Sequence, residues 1–362
     1  RIDDWATWGA PPWGHYSREL LTVQDELGTR GRPNGRFEKW RLNSHGFRGP
    51  EIPMQKPDGV IRIAVMGASE TFGLYESPGK EFPAQLQTML EGARPGRYQV
   101  INAACAGMSL PRIAHYFRVW VGKFDPDVVI IYPTPASYLT NDAPRSKINV
   151  RHGPPVKLPE NLRLARKVRV ILKRALPARA QTRLRERRIS RTIRRHKPDW
   201  VWQNLPPERL ALFRRHLTEV IDTVRAAGAR VVLATHADRF PQDRQKWTKA
   251  DEIQMTAWRR FHPRAAEPVL LSMERAGNQA LFELGEQHGV PVVDLAAIVP
   301  GSRRVLTNLA HGMGLTWMKP VEMNHFGDFS HFTDSGAQVA AFALARQILE
   351  LRLEEAAAPP QR

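Results

Sequence analysis

The chain has 362 residues, 42% hydrophobic and 25% charged, a globular composition with length for one large domain or two small ones. No apolar run is long enough to cross a bilayer, and the single cysteine, Cys105, excludes a disulfide framework and a cysteine metal site. The formal net charge is +18, yet fifteen Lys and Arg side chains fall between Arg163 and Lys197 against Glu186 alone, so one segment carries most of the excess.

Residues 1–58 hold Trp5, Trp8, Trp13, Pro11, Pro12 and Pro33 with little periodicity, which predicts an irregular arm. The chain opens on Arg1 rather than Met, so a segment before it is expected to have been removed. Asn43-Ser44-His45-Gly46-Phe47-Arg48-Gly49-Pro50 is a turn-rich lead into the first strand of the main domain. That strand is the apolar, β-branched run Val60 to Val65, bounded by Pro57-Asp58-Gly59 and Gly67, and it reads as buried and parallel. It ends in Gly67-Ala68-Ser69-Glu70-Thr71-Phe72-Gly73. A serine just past such a strand lies where open α/β sheets place ligands. Gly67 allows a sharp turn there, and Gly73 allows close packing.

Phe82, Leu86 and Leu90 mark one face of a helix. Tyr98 to Ala103 reads as the second strand, ending in Ala104-Cys105-Ala106-Gly107. Ile113, Phe117 and Trp120 mark the next helix, and Asp127 to Tyr132 the third strand. Residues 143–205 have the look of an insertion. Leu164, Val168, Ile171 and Leu172 repeat at helical spacing, and a second basic helix is predicted from about Gln181 to Arg195. This pair is either a solvated cover for the sheet edge or a basic cap over the site, facing an anionic membrane surface or a polyanion. Nucleic acid is disfavoured, because the run lacks aromatic residues for base stacking. Beyond Pro207 come a long helix to Ala227, a fourth strand at Arg230–Thr235, two helices at Ala250–Phe261 and Val269–Gln287, and a fifth strand at Val290–Leu295. His236 stands at a strand's carboxyl end, either lining a pocket or hydrogen-bonded within its loop. Asp294 is placed to cap or brace a loop. Ser335-Gly336-Ala337-Gln338 resembles a capping box opening the last helix. The fivefold alternation of strand and helix argues a parallel sheet covered on both faces.

Before that last helix stands Gly327-Asp328-Phe329-Ser330-His331. A serine hydroxyl needs a base, and the base needs a third group to fix its tautomer. Asp328 and His331, three residues apart, supply such a pair, and Ser69, Asp328 and His331 together resemble the SGNH (GDSL-like) hydrolase family. The Gly-x-Ser-x-Gly elbow of α/β-hydrolases is absent, since Thr71 replaces its second glycine. The Asn43 to Gly49 stretch is similar to the Asn-x-x-Gly-Phe-Arg-Gly of bacterial, membrane-anchored members.

The resemblance covers about residues 43–352 apart from the insertion and implies a three-layer α/β/α, flavodoxin-like fold with strand order 2-1-3-4-5; the main domain is expected at 59–354, with its basic helical insertion, ahead of a disordered tail at 355–362. It implies a serine ester hydrolase or acyl transferase, with Ser69 as nucleophile, His331 as base, Asp328 as its orienter, and the N–H groups of Ser69 and Gly107 as the oxyanion hole. It implies no metal or organic cofactor, a substrate bearing O-acetyl groups on cell-surface or secreted carbohydrate, and an extracytoplasmic, tethered location. Two departures stand out. The family's Gly-x-Asn-Asp falls on Thr134-Pro135-Ala136-Ser137, leaving Asn141 as the alternative amide, and Ala68 replaces the usual aspartate. These departures keep open a second reading, a decayed hydrolase fold that binds carbohydrate or membrane.

Overall fold

The computed structural model describes residues 22–140, 177–300 and 325–353, except 38 and 352. Two short antiparallel hairpins come first, β1 (Thr22–Asp25) with β2 (Gly28–Gly31) and β3 (Arg36–Phe37) with β4 (Trp40–Arg41). Strands of two to four residues are too short to carry a legible alternation, so the sequence reads there as irregular.

The main sheet holds β5 (Ile61–Gly67), β6 (Tyr98–Asn102), β7 (Val128–Tyr132), β8 (Arg230–Ala234) and β9 (Val292–Val293), all parallel, in the order β6-β5-β7-β8-β9. This is the 2-1-3-4-5 order. Every residue of β5 and β7 is buried, as expected of central strands covered on both faces. Alternate side chains sort to opposite sides. Ala64, Met66, Val129, Ile131, Val231 and Leu233 enter the core shared with α3 (Leu110–Val119), α5 (Pro207–Ala226) and α7 (Glu267–His288). Ile63, Val65, Val128, Ile130, Val232 and Ala234 pack against α2 (Phe82–Ala93) and α8 (Asp334–Glu350). Each buried Val, Ile, Leu or Met among them stabilises the fold by about 1.5–3 kcal/mol relative to exposure.

The fifth strand is shorter than its apolar run. Only Val292 and Val293 pair with β8, because Pro291 lacks a donor and Asp294 turns the chain. The Asp294 carboxylate accepts from the Thr235 hydroxyl at 2.8 Å and from Ala297 N–H at 3.2 Å. The last helix opens earlier than its apparent capping box. Thr333, not Ser335, is the N-cap and accepts from Gly336 N–H at 3.4 Å, while the Ser335 hydroxyl lies 3.0 Å from that of Thr333 and 3.1 Å from His325 Nδ1. The second basic helix is α4 (Ala178–Ile193), packed on α6 (Lys249–Arg259), with Ile189 buried. The expected first basic helix lies outside the described residues. No helix among the described residues is long and apolar enough to cross a membrane.

The turn-rich lead into β5 is a staple for the site. Asn43 Oδ1 accepts from the N–H groups of His45 and Phe47 at 3.0 and 2.9 Å, and its Nδ2 donates to Pro50 O at 2.9 Å. The turn aims Arg48 inward, where its guanidinium donates to Phe72 O at 2.7 Å and to Gly73 O, and pairs with buried Glu81 at 3.1 Å. Arg48 thereby fixes the end of α1 (Ser69–Phe72), the single helical turn that carries Ser69. Gly73 closes that turn at φ 83°, and a Cβ there would lie 2.4 Å from Glu81 Cβ. Gly67 serves close approach rather than an unusual turn, since a Cβ on it would lie 2.1 Å from Thr71 Oγ1 and 2.7 Å from Tyr132 O.

Candidate active site

The loop before α8 is pinched by an antiparallel bridge between Phe326 and Phe332. Within it, Asp328 Oδ1 accepts from the N–H groups of Ser330 and His331, both at 3.0 Å. These bonds fold the loop onto its own carboxylate and hold His331 Nδ1 at 2.9 Å from both Asp328 oxygens. With Nδ1 donating to Asp328, a neutral His331 ring presents its lone pair at Nε2. That atom is buried and has no hydrogen-bond partner among the described residues.

Ser69 opens α1, half-buried. As the first residue of a helical turn, it has no intrahelical acceptor for its N–H. Gly107 sits exposed at φ 76° in the turn after β6, which Cys105 N–H ties to Gly67 O at 3.3 Å and Met108 N–H closes onto Cys105 O at 3.0 Å. The left-handed backbone explains the glycine. Cys105 is buried among apolar neighbours, its thiol donating to Ala106 O at 4.0 Å. Thr134 follows β7 two residues past Tyr132, the register partner of Gly67. Its hydroxyl is buried with no hydrogen-bond partner among the described residues. The alternative amide, Asn141, lies outside the described residues.

The structure adds three residues that the motifs did not single out. Glu70 is buried, accepts from the Ser69 hydroxyl at 3.1 Å through Oε2, and accepts from the Ser330 hydroxyl at 3.1 Å through Oε1. It therefore links the turn that carries Ser69 to the loop that carries His331. His236 does not line an open pocket. It is 1% exposed, with Nδ1 at 2.7 Å from Glu274 Oε2 and Nε2 at 3.6 Å from Glu70 Oε1. Glu274 also accepts from Ala136 N–H at 2.9 Å, which steadies the turn after β7. Glu274 falls among the inward positions Leu270, Met273, Gly277 and Leu281 of α7. A charge on an apolar stripe was the available signal. Tyr75 adds a wall, its ring 5.3 Å from that of His331.

Electrostatics follow from this packing. Burial disfavours the charged ring of His331, but the charge and hydrogen bond of Asp328, with Glu70 and Glu76, prevail and raise its pKa to about 9. His236 behaves alike. Burial opposes its charge, and Glu274 and Glu70 outweigh it, raising the pKa to about 10. Burial pushes Glu76 up to about 8. Glu70 is equally buried, yet the facing His236 and the charge of His331 hold it well below the usual carboxylate range. Asp328 is likewise lowered, burial being outweighed by His331 and the two backbone donors. No group of His, Cys, Asp and Glu suited to a metal ion occurs among the described residues.

No protein-family model and no curated protein matches the sequence. Solved structures do. A lipase/acylhydrolase from Enterococcus faecalis is 16% identical, with 84% of this chain and 100% of that chain covered at a TM-score of 0.43. A catalytic mutant of an acetylxylan esterase from Geobacillus stearothermophilus is 14% identical, with 80% and 94% covered at 0.41. A GDSL-like lipase from Bacteroides thetaiotaomicron VPI-5482 is 11% identical, with 80% and 88% covered at 0.37. The chain is similar to GDSL-like hydrolases. At such identities and overlaps this is likeness alone, and the chemistry of the chain rests on its own residues.

Proposed function

We propose that the protein is a serine esterase or acyl transferase working through an acyl-serine. The observation that carries the reading is the Asp328–His331 pair, 2.9 Å apart and presenting an unoccupied Nε2, on a loop tied through Ser330 to the residue beside Ser69. Ser69 Oγ attacks the ester carbonyl while His331 takes its proton. The oxyanion rests on the N–H groups of Ser69 and Gly107. His331 then returns the proton to the departing alkoxide. Water, or a second hydroxyl, displaces the acyl group with the roles reversed. O-acetyl groups on carbohydrate are the proposed substrate, by analogy with the family that the motifs resemble.

A fluorophosphonate probe read by mass spectrometry tests the mechanism. Labelling of Ser69 that disappears in His331→Ala is expected. A folded protein left unlabelled from pH 7 to pH 10 favours the second reading, a binding protein on a decayed hydrolase fold. That reading draws on the Ser69 hydroxyl facing Glu70 rather than His331. The basic helix α4 supports an anionic surface or polymer as a partner. Arg185 of α4 and Arg260, just past α6, both act electrostatically on Tyr75 at the site wall. Replacing Arg185, Arg187, Arg188, Arg194 and Arg195 with Gln should weaken adsorption to anionic vesicles or polyanion, most visibly at low salt; unchanged adsorption would leave α4 as a solvated cover.

A further inference from the structure

Glu70 is an unusual neighbour for a nucleophile. A buried carboxylate beside a hydroxyl that must become negative opposes the reaction unless something fixes its position and offsets its charge. Both conditions are met from other parts of the fold. Glu70 Oε1 accepts from Ser330 at 3.1 Å and faces His236 Nε2 at 3.6 Å, and His236 is itself anchored by Glu274 at 2.7 Å. Two segments far apart in sequence, at Ser330 and His236, thus converge on one carboxylate beside Ser69, with Glu274 behind the second. The other Glu70 oxygen takes the Ser69 hydroxyl at 3.1 Å, while His331 Nε2 is left without a partner among the described residues.

We propose that Glu70 is a positioning residue that holds the Ser69 hydroxyl off His331 until substrate enters, and that His236, braced by Glu274, keeps Glu70 in place to do so. The inference rests on the serine chemistry proposed above and adds a resting state to it. In that state the hydroxyl is turned to Glu70, and His331 feels the charges of Asp328 in its own loop, Glu70 in α1 and Glu76 in the loop after α1, with the Tyr75 ring against it. His236 feels Glu274 from α7 and Glu70 from α1. Asp238 and Tyr132, which lie close by, are both held towards their neutral forms, chiefly by burial. A substrate carbonyl entering the oxyanion site draws Ser69 Oγ towards His331, and the proton passes to Nε2 as the carbon–oxygen bond forms.

The test measures fluorophosphonate labelling and p-nitrophenyl acetate hydrolysis by the full chain between pH 6 and pH 10. Glu70→Gln keeps the shape and removes the charge. It should move the acid limb of both profiles to lower pH by about one unit and speed labelling at pH 7 several-fold. Glu70→Asp keeps the charge and should keep the acid limb of the parent while losing the hold on Ser69. An acid limb in Glu70→Gln that coincides with the parent's overturns the proposal and leaves the serine mechanism standing. A parent that never labels overturns both. Should neither variant fold, histidine ring-nitrogen shifts in the parent decide: a doubly protonated His236 at pH 8 supports the clasp, and a neutral one overturns it.

Discussion

Asp328 carries more of the site than a pairing partner would. Its Oδ1 holds two backbone N–H groups at 3.0 Å and His331 Nδ1 at 2.9 Å, so one carboxylate shapes the loop and selects the ring tautomer. Asp328→Asn keeps an acceptor oxygen for the backbone while presenting an amide to the ring, so the loop should survive and the tautomer should not. Hydrolysis of p-nitrophenyl acetate is expected to fall about 10³- to 10⁴-fold, with the circular dichroism and melting of the parent largely kept. A loss below tenfold would mean that His331 does not serve as the base. The Asp328–His331 pairing was legible in the sequence from its three-residue spacing, and Ser69 was a candidate from its place at a strand end. Glu70 was visible beside Ser69 but unreadable, since its partners Ser330 and His236 come from distant parts of the chain.

Among the elements, α1 is the one least able to stand alone. A four-residue turn has too few internal hydrogen bonds to be stable by itself, and Arg48 supplies what it lacks by capping Phe72 O and Gly73 O while pairing with Glu81. Arg48→Met fills similar space but strands the buried Glu81 carboxylate. Urea unfolding should show a loss of about 3–5 kcal/mol, and labelling of the folded fraction should slow as α1 loosens. Unchanged stability would remove the staple from the account. The Asn43 to Gly49 stretch was read from its residues as a turn, and the structure makes it a turn. Its reach into α1 was not legible, because that depends on where Arg48 points once the sheet has formed. The last helix teaches the same lesson on a smaller scale. Ser335 and Gln338 had the right spacing for a cap, yet the hydroxyl of Thr333 closes the end, because the Phe326–Phe332 bridge delivers the chain to the helix two residues earlier.

For the whole molecule, the buried charges behind Ser69 set opposite pH demands on stability and on the proposed serine chemistry. The pKa of His331 is raised to about 9 and that of His236 to about 10. Folding therefore favours their protonated forms, a stabilisation present in full below about pH 6.5 and lost as pH rises through those values. Glu76, raised to about 8 by burial, also disfavours the folded state as it ionises over the range above its ordinary value. Glu70 and Asp328 are lowered, so their contribution is lost only on acidification. The melting temperature is expected to fall steadily from neutral pH to pH 10, while kcat/KM climbs as His331 becomes neutral. A melting curve flat across that range would show that these groups are not held as the packing indicates.

The amino-acid sequence by itself determined the five strands of the main sheet, their helical covers and the Asp-x-x-His loop, because each is written in residues within a few positions of one another. Apolar runs pick the buried strands, and period picks the helices. Only the tertiary structure decided which charges share the interior. Glu70, His236 and Glu274, like Arg48 and Glu81, are tolerable in a low-dielectric core only as partners, and partners drawn from separate crossovers meet only after the sheet has brought its strand ends together.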